Sequence, residues 1–560
     1  MLAALAAGAG VARADGGPIM PLSQVQTGMN CTAYTVIQGT TISSFDVQVL
    51  GIVNQSAGQG ARILVSVSGP AVAASGIAEG FSGSPVYCPA QDGTMENIGA
   101  ISEGVGQYGN NVGLVTPIQQ MLGEPVHPPS SAPHTDFKTT PLLGPLTFGG
   151  LSPSLMGLVE KAGRHAGRLV VAAPDGYMPS FPVQQLVPGA SVAASYSTGV
   201  IAAGAIGTVT YRDGNDVYVF GHELDGAGRR SLYLQDAYVF GVIDNPDPAL
   251  EPSYKLAAPG HTLGTITSDT PNAVIGTVGA PPGQIPVDVT AHDLDTGQTI
   301  TEDTDVADET AVGYPLGSSL LDLVAPLAIG QAAIDIYNGP PASESGTMCL
   351  TIHLREQSTV LHFCDRYVGT GAPGDGGEGP PEVSSGASTD VSTALSLLDA
   401  VQFATLHVTS VTADIRAERG LAEASILGAS APRRVKPGQR ITVALRVQLY
   451  RAGFRTIALH IRVPRGVHGL VPVAIKGAAP ISAGSSSAAE TEEITIALGG
   501  GGPTTPSPPT SLADLRTQFA AVPRYDGIEV RFGRHGQTKR IYRDPSLLIT
   551  GDTSVLLDVR

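Results

Sequence analysis

The sequence predicts a mainly β protein with more than one domain. Its 560 residues exceed what a single hydrophobic core normally supports, so two to four domains are expected. The 70 glycines and 43 prolines favour short strands and frequent turns over long helices. Strand-like runs such as 44–53 and the alternating run 440–453 support the same fold class.

Composition also restricts the partners. The net charge is −17 and the isoelectric point is near 5.1. Electrostatic capture of DNA or RNA relies on clustered Lys and Arg, so nucleic acid is not expected as a partner.

The order of strand-like, helix-like and Gly/Pro-rich segments divides the chain into nine parts. The two β-rich parts near the N-terminus are separated by a Pro/Ser/Thr-rich connection, and two later linkers flank a β-sandwich-like stretch. The expected parts are 1–14 (signal peptide), 15–122 (β), 123–188 (linker and helix), 189–290 (β), 291–368 (mixed), 369–400 (linker), 401–498 (β-sandwich-like), 499–511 (linker) and 512–560 (strands).

The first 14 residues have the composition of a secretory signal. They are small and apolar, and Ala12-Arg13-Ala14 fits the pattern of a cleavage site. A basic start is missing, so either the natural start lies upstream or this is an Ala/Gly tail. No later apolar run is unbroken enough to span a bilayer, and export without a membrane anchor is expected.

Four cysteines suit an oxidising compartment. Cys349 and Cys364 flank two alternating runs around a turn expected at Glu356-Gln357. A two-residue turn there would set the two cysteines directly opposite each other, and Cys31 with Cys88 would form the second disulfide. Four free buried thiols are the alternative. No CxxC pair and no HExxH helix occurs, so no metal site is expected.

The most informative segment is Gly80-Phe81-Ser82-Gly83. A serine hydroxyl becomes a strong nucleophile only when a base takes its proton and nearby amides stabilise the resulting oxyanion. Gly80 and Gly83 supply the backbone freedom to aim the amides of Gly80 and Ser82 at one point. An ordinary Gly/Ser/Pro turn is the alternative interpretation.

A candidate base lies far along the chain. His222 directly follows a glycine at the end of an apolar strand, after a hairpin signal at 212–216. His261 is a weaker rival. The histidines His127, His134 and His165 are interpreted as solvated residues of the linker and the helix that follows it.

Several segments together resemble the serine peptidases of the sporulation stage IV B (SpoIVB) type, relatives of the chymotrypsin-like double β-barrels. The matching pieces are residues 21–53, GIAEGFSGSPVY (76–87), IGAISEGVG (98–106), VGLVTPIQQML (112–122) and GAIGTVTYRDGNDVYVFGHELD (204–225). They are spread over residues 20–280, about half of the chain.

The resemblance implies roles for particular residues. Ser82 would be the nucleophile, with Ser84 as the alternative in the same motif, and His222 would be the base. Gly80 and Ser82 would supply the oxyanion amides. In the family the histidine segment precedes the serine segment, so this chain would carry a circularly permuted chymotrypsin-like double β-barrel, followed by a β-sandwich-like domain.

The family's acidic residue has no counterpart here. It lies shortly upstream of the serine, where this chain reads LVSVSGPAV without a carboxylate. A third group normally orients the imidazole and stabilises its charged form. Asp225 and Asp269 are the candidates, and a Ser/His dyad or a loss of activity are the alternatives.

The function expected from this resemblance is a secreted bacterial serine endopeptidase that cleaves a protein, with itself among the candidate substrates, without metal or organic cofactor. The competing expectation is an inactive exported β-rich binding or structural protein that keeps the fold. A serine esterase is disfavoured because strand-type sequence, not a helix, follows the serine.

Overall fold

A computed structural model describes residues 17–560, apart from 56–59, 106–109, 127, 130–131, 136–138, 142–144, 175–179, 246–251, 357–359, 370–378, 478–506, 523–526 and 534–535. The signal-like residues 1–14 and His127 lie outside the described part. The chain divides into two compact units. Unit 1 comprises 1–151, 159–285 and 304–320, and unit 2 comprises 152–158, 286–303 and 321–560.

The first part of unit 1 is a closed six-stranded antiparallel barrel. Its strands pair in the order β1-β4-β5-β6-β3-β2, and β2 returns to β1. Apolar side chains such as Phe45, Ile63 and Val86 fill its interior. The strands are β1 (Asn30–Gln38), β2 (Thr41–Gln55), β3 (Gly60–Ser68), β4 (Pro85–Pro89), β5 (Met95–Val105) and β6 (Val112–Pro117).

Short elements follow this barrel. A one-turn helix ends the last barrel strand, and brief strands lie along the connection that the sequence marks as a linker. His134 is in one of these strands, and His165 ends a longer helix. The elements are α1 (Ile118–Met121), β7 (His134–Thr135), β8 (Thr139–Pro141), β9 (Leu146–Gly149), α2 (Pro153–His165) and β10 (Val170–Ala172).

A second ring of six strands lies in unit 1. Antiparallel pairings run β12-β13-β16-β15-β14-β11 and then back from β11 to β12. Its strands are β11 (Ser191–Gly199), β12 (Ala202–Asp213), β13 (Asp216–Val219), β14 (Gly228–Ile243), β15 (Tyr254–Thr270) and β16 (Ala273–Val278). The tight turn between β12 and β13 confirms the hairpin expected at 212–216.

The two rings pack directly on each other. Val36 of β1 clusters with Ala193, Ile206 and Val239 of the second ring. Backbone hydrogen bonds also join Gly39 to Val239 in both directions, at 2.6 and 3.0 Å. The segment between β3 and β4, which carries Ser82, lies at this junction, where the Ser82 carbonyl accepts a hydrogen bond from the Thr208 amide of the second ring.

Unit 2 begins with a mixed sheet flanked by helices. Strand β21 pairs in parallel with β17 and antiparallel with β19, and β19 pairs with β20. The elements are β17 (Gln284–Asp293), β18 (Thr299–Ala307), α3 (Leu320–Asp335), β19 (Glu344–Leu354), β20 (Leu361–Gly369), α4 (Glu382–Asp399) and β21 (Val408–Arg419).

The C-terminal part of unit 2 consists of two sheets around one apolar core. One sheet has the order β25-β24-β22-β29 and the other β23-β30-β26-β27-β28. Strands from beyond residue 512 thus complete both sheets. The elements are β22 (Glu423–Ser430), β23 (Arg434–Val435), β24 (Arg440–Leu449), β25 (Phe454–Arg462), β26 (Gly469–Lys476), α5 (Leu512–Phe519), β27 (Ile528–Phe532), β28 (Thr538–Tyr542), β29 (Leu548–Thr550) and β30 (Asp552–Val559).

Both expected disulfides are present. Cys349 lies directly opposite Cys364 in the β19–β20 ladder, which confirms the register derived from the sequence, although part of the turn itself lies outside the described residues. Cys31 of β1 is joined to Cys88 of β4. The two bridges indicate an oxidising, extracytoplasmic environment. None of the helices in the described part has the length and apolar character that a bilayer crossing requires.

The first disulfide should contribute strongly to the stability of unit 1. Cys31 and Cys88 are separated by 57 residues, and closing such a loop in the unfolded chain is worth about 4 kcal/mol. We expect the double variant Cys31→Ala/Cys88→Ala to lower the free energy of unfolding by about that amount in urea titrations. Cys349→Ala/Cys364→Ala, which opens a separation of only 15 residues, is the matched control and should lose less. Equal losses would contradict the loop-length argument.

Candidate functional site

Ser82 lies in a tight backbone bend that glycine alone allows. Gly80 and Gly83 both have positive φ angles, 86° and 90°. A side chain on Gly83 would also collide with the second ring, because a Cβ there would lie 2.0 Å from the Thr208 carbonyl oxygen and 2.6 Å from the Phe220 nitrogen. The glycine that follows the serine therefore fixes both the bend and the close contact between the rings.

Hydrogen bonds orient the peptide groups of the bend. The Glu79 carbonyl accepts from the Lys255 amide at 2.9 Å, and the Phe81 carbonyl accepts from the Ser84 amide at 2.9 Å and the Ser84 hydroxyl at 2.6 Å. In a trans peptide the N–H points opposite to the C=O. The amides of Gly80 and Ser82 therefore point away from these anchoring contacts.

Those two amides are unoccupied donors. Within the described part of the chain, no oxygen accepts a hydrogen bond from the N–H of Gly80 or of Ser82, whereas Phe81 and Gly83 between and after them donate to Ala78 and Ile101. Buried amides are nearly always paired, so two such groups in one bend are an exception that calls for a ligand. A developing oxyanion is one ligand that fits.

The Ser82 hydroxyl is itself completely buried and has no hydrogen-bond partner. It therefore does not hydrogen-bond the His222 ring in this state. Ser84, the alternative nucleophile, uses its hydroxyl to close the bend on the Phe81 carbonyl. Of the two serines, only Ser82 has a hydroxyl that is not engaged.

His222 lies beside the same strand as the serine bend. Ile101 of β5 exchanges backbone hydrogen bonds with Gly83 and Ser84, and a Cβ on Gly221 would lie 3.0 Å from the Ala100 methyl group. The Thr116 hydroxyl donates to the Gly221 carbonyl at 2.7 Å. The fold thus brings the serine segment and the histidine segment together around β5, although 140 positions separate them in the sequence.

The His222 ring is held in a defined tautomer. Its Nδ1 lies 2.5 Å from the Glu223 carbonyl oxygen, which can only accept, so Nδ1 carries a proton. In the neutral ring the lone pair is then on Nε2, the nitrogen that a general base uses. A backbone carbonyl therefore does part of what an aspartate does in a catalytic triad.

The two candidate acids have other partners. Asp269 accepts from the amides of Leu224, Asp225 and Ala227 at 2.7, 2.8 and 3.2 Å. These three residues lie in the loop that follows His222 and Glu223. Asp269 therefore orders the loop that holds the imidazole, and its hydrogen bonds do not go to the ring.

Asp225 belongs to a buried ion cluster. Its two oxygens lie 2.6 Å from Arg168 and 2.6 Å from Arg230, and the Tyr196 hydroxyl donates to it at 2.9 Å. Burial alone would raise the pKa of Asp225, but the two guanidinium groups hold it below its usual range. Arg230 is also bonded to Glu309 through two nitrogens, at 2.8 and 3.1 Å. No spacing pattern along the chain predicts this cluster.

His261 is paired with a carboxylate. Its Nδ1 lies 3.0 Å from Asp236, which is buried, and Phe181 packs edge-on against the ring. Among the described residues, no contact joins this pair to Ser82. His261 therefore has the partner of a catalytic base but not its place beside the serine.

Two further buried titratable groups border the serine bend. Burial raises the pKa of Glu79 to about 8, although Arg168 acts in the opposite direction, and its Oε2 has no hydrogen-bond partner. Burial lowers the pKa of Lys255 to about 7. Neither residue was identified in the sequence, because a single Glu or Lys in a β-rich segment carries no periodic signal.

Among the described residues, one group of side chains has metal-ligand spacing: Cys349, His362 and Cys364 in unit 2. Its two sulfurs are joined in a disulfide, so they offer no thiolate ligand. The expectation that no metal is used stays a prediction.

Comparisons with protein-family models, curated proteins and solved structures found no match to this chain. The geometry of unit 1 is therefore the basis for any functional assignment.

Asp269→Asn should loosen the loop that follows His222. A neutral amide cannot accept from three backbone N–H groups as a carboxylate does, so we expect the free energy of unfolding to fall by about 2 kcal/mol in urea titrations. Asp213→Asn, an exposed turn position in the same ring, is the control and should be neutral. An unchanged Asp269→Asn protein would show that this carboxylate does not hold the loop.

Glu79 should make the stability of unit 1 depend on pH. Its pKa in the folded state, about 8, lies above the usual value of 4.5, so the folded state binds more protons between these values. The wild type should therefore lose stability relative to Glu79→Gln as the pH rises from about 5 to 9. Urea midpoints of both proteins at each pH measure this difference, and a constant difference would contradict it.

Proposed function

We propose that unit 1 is a serine endopeptidase in which Ser82 is the nucleophile and His222 the general base. The observation that carries this proposal is the glycine bend, in which a buried serine hydroxyl and two free amides occur together. Two closed six-stranded rings of one unit also agree with the resemblance to chymotrypsin-like double barrels, in permuted order. The disulfides and the signal-like start favour secretion.

The proposed reaction uses only groups of this chain, the substrate and water. His222 Nε2 takes the proton of Ser82, and Ser82 Oγ attacks the peptide carbonyl carbon. The amides of Gly80 and Ser82 hold the oxyanion. The imidazolium then gives its proton to the leaving amine, and water hydrolyses the acyl-enzyme with His222 again as base.

The Ser82 hydroxyl must turn or become uncovered before the reaction, because in this state it neither contacts solvent nor bonds the imidazole. This observation also favours the second candidate, an inactive binding or structural protein that keeps the peptidase fold. For the peptidase, we propose cleavage of a particular protein rather than bulk digestion of many proteins. The chain itself is one candidate for that substrate.

A fluorophosphonate probe separates the two candidates. Ser82 Oγ would displace fluoride and form a bond to phosphorus, so we expect labelling at Ser82, located by peptide mass spectrometry. Ser82→Ala should abolish labelling, and His222→Ala should slow it by about 10⁴-fold.

Two matched controls test the assignment. Ser84→Ala should keep the label on Ser82, and His261→Ala should label at the wild-type rate because its ring is bonded to Asp236. A folded wild-type protein without label would favour the binding protein. Loss of labelling in His261→Ala but not in His222→Ala would show that His261, and not His222, is the general base.

A further inference from the structure

Lys255 is a lysine buried completely behind the serine bend. Its side-chain carbons pack on Gly80, since a Cβ built there would lie 3.1 Å from Lys255 Cβ. Its Nζ lies 5.2 Å from the centre of the Phe81 ring and donates to the Thr208 hydroxyl at 3.1 Å. That is the one hydrogen bond of this amine among the described residues.

Thr208 links Lys255 to the serine bend through hydrogen bonds. Its hydroxyl donates to the Gly80 carbonyl at 3.2 Å, and its amide donates to the Ser82 carbonyl at 2.9 Å. The Thr35 hydroxyl, 3.3 Å away, completes the surroundings of the Thr208 oxygen. Because a hydroxyl has one proton, donation from Lys255 leaves that proton available for Gly80.

A buried amine with one hydrogen bond is a poor stabiliser. Moving an ammonium out of water is costly, and the lowered pKa of Lys255 expresses that penalty. A methionine would keep the apolar packing on Gly80 and Phe81 without the cost of burying an ammonium group. Stability alone therefore does not account for a lysine at this position, and groups that destabilise a fold concentrate at functional sites.

We propose that Lys255 is a positioning residue of the Ser82 site: acting through Thr208, it holds the peptide group that joins Gly80 to Phe81, which lies between the Gly80 and Ser82 amides, so that both amides converge on the oxyanion. The Lys255 amide acts in the same sense through the Glu79 carbonyl. This inference rests on the proposed peptidase function and adds a residue that supports its oxyanion site.

The experiment compares the direction of two measurements on Lys255→Met. At pH 7 the urea midpoint should rise, whereas the rate of fluorophosphonate labelling should fall by tenfold or more. A merely structural lysine would move both quantities in the same direction or leave labelling unchanged.

The stability gain should also depend on pH. The pKa of Lys255 in the folded state is about 7, against 10.5 for an ordinary lysine, so the unfolded state binds more protons between these values. The stability of the wild type should therefore increase relative to that of Lys255→Met as the pH rises from about 7 to 10. The difference between the two urea midpoints, in favour of Lys255→Met at pH 7, should become smaller over this range.

Thr208 supplies the matched variants. Thr208→Ser keeps the hydroxyl and should label within about twofold of the wild type, whereas Thr208→Val removes it and should label as slowly as Lys255→Met. Wild-type labelling rates in Lys255→Met, or a parallel loss of stability and labelling, would overturn this inference and leave the peptidase proposal intact. An unlabelled wild type would overturn both.

Discussion

The candidate site depends on the close approach of two backbones at Gly83. A Cβ at this position would lie 2.0 Å from the Thr208 carbonyl oxygen, a distance at which no side chain fits. Because Gly83 has none, β12 can lie directly against the serine bend and donate from Thr208 to Ser82. The same approach brings Phe220, and therefore His222, to the bend. The orientation of the free amides and the position of the base thus depend on one missing methyl group.

Local sequence signals account for much of unit 1. Glycines that need a positive φ can be identified from the sequence, and so can the alternating runs that became barrel strands, because both depend on a residue and its immediate neighbours. The cysteine register was also predictable, since two strands joined by a tight turn have fixed partners. Cys349 and Cys364 accordingly face each other in the ladder.

The supporting groups of the site could not be predicted in this way. Thr208 and Lys255 come from strands that meet the bend only after both rings have closed, and Arg168 lies in the connection between α2 and β10, so their distances along the chain carry no pattern. The role expected of an aspartate illustrates this limit. The sequence offered Asp225 and Asp269, whereas the Glu223 carbonyl binds the imidazole and Asp269 orders the loop around it. A backbone carbonyl is present in every residue and cannot be singled out in a sequence.

The distance of 140 positions between Ser82 and His222 has a consequence for the newly made chain. The ribosome synthesises the serine bend well before the strand that ends at His222, and contacts between distant segments form slowly because a long loop must close first. The first barrel can close its own ladder, from Asn30 to Pro117, without any residue of the second. A nascent chain would therefore hold a closed first barrel that has neither the base nor the second-ring contacts that orient the serine bend, and reactivity would begin only when the second ring docks.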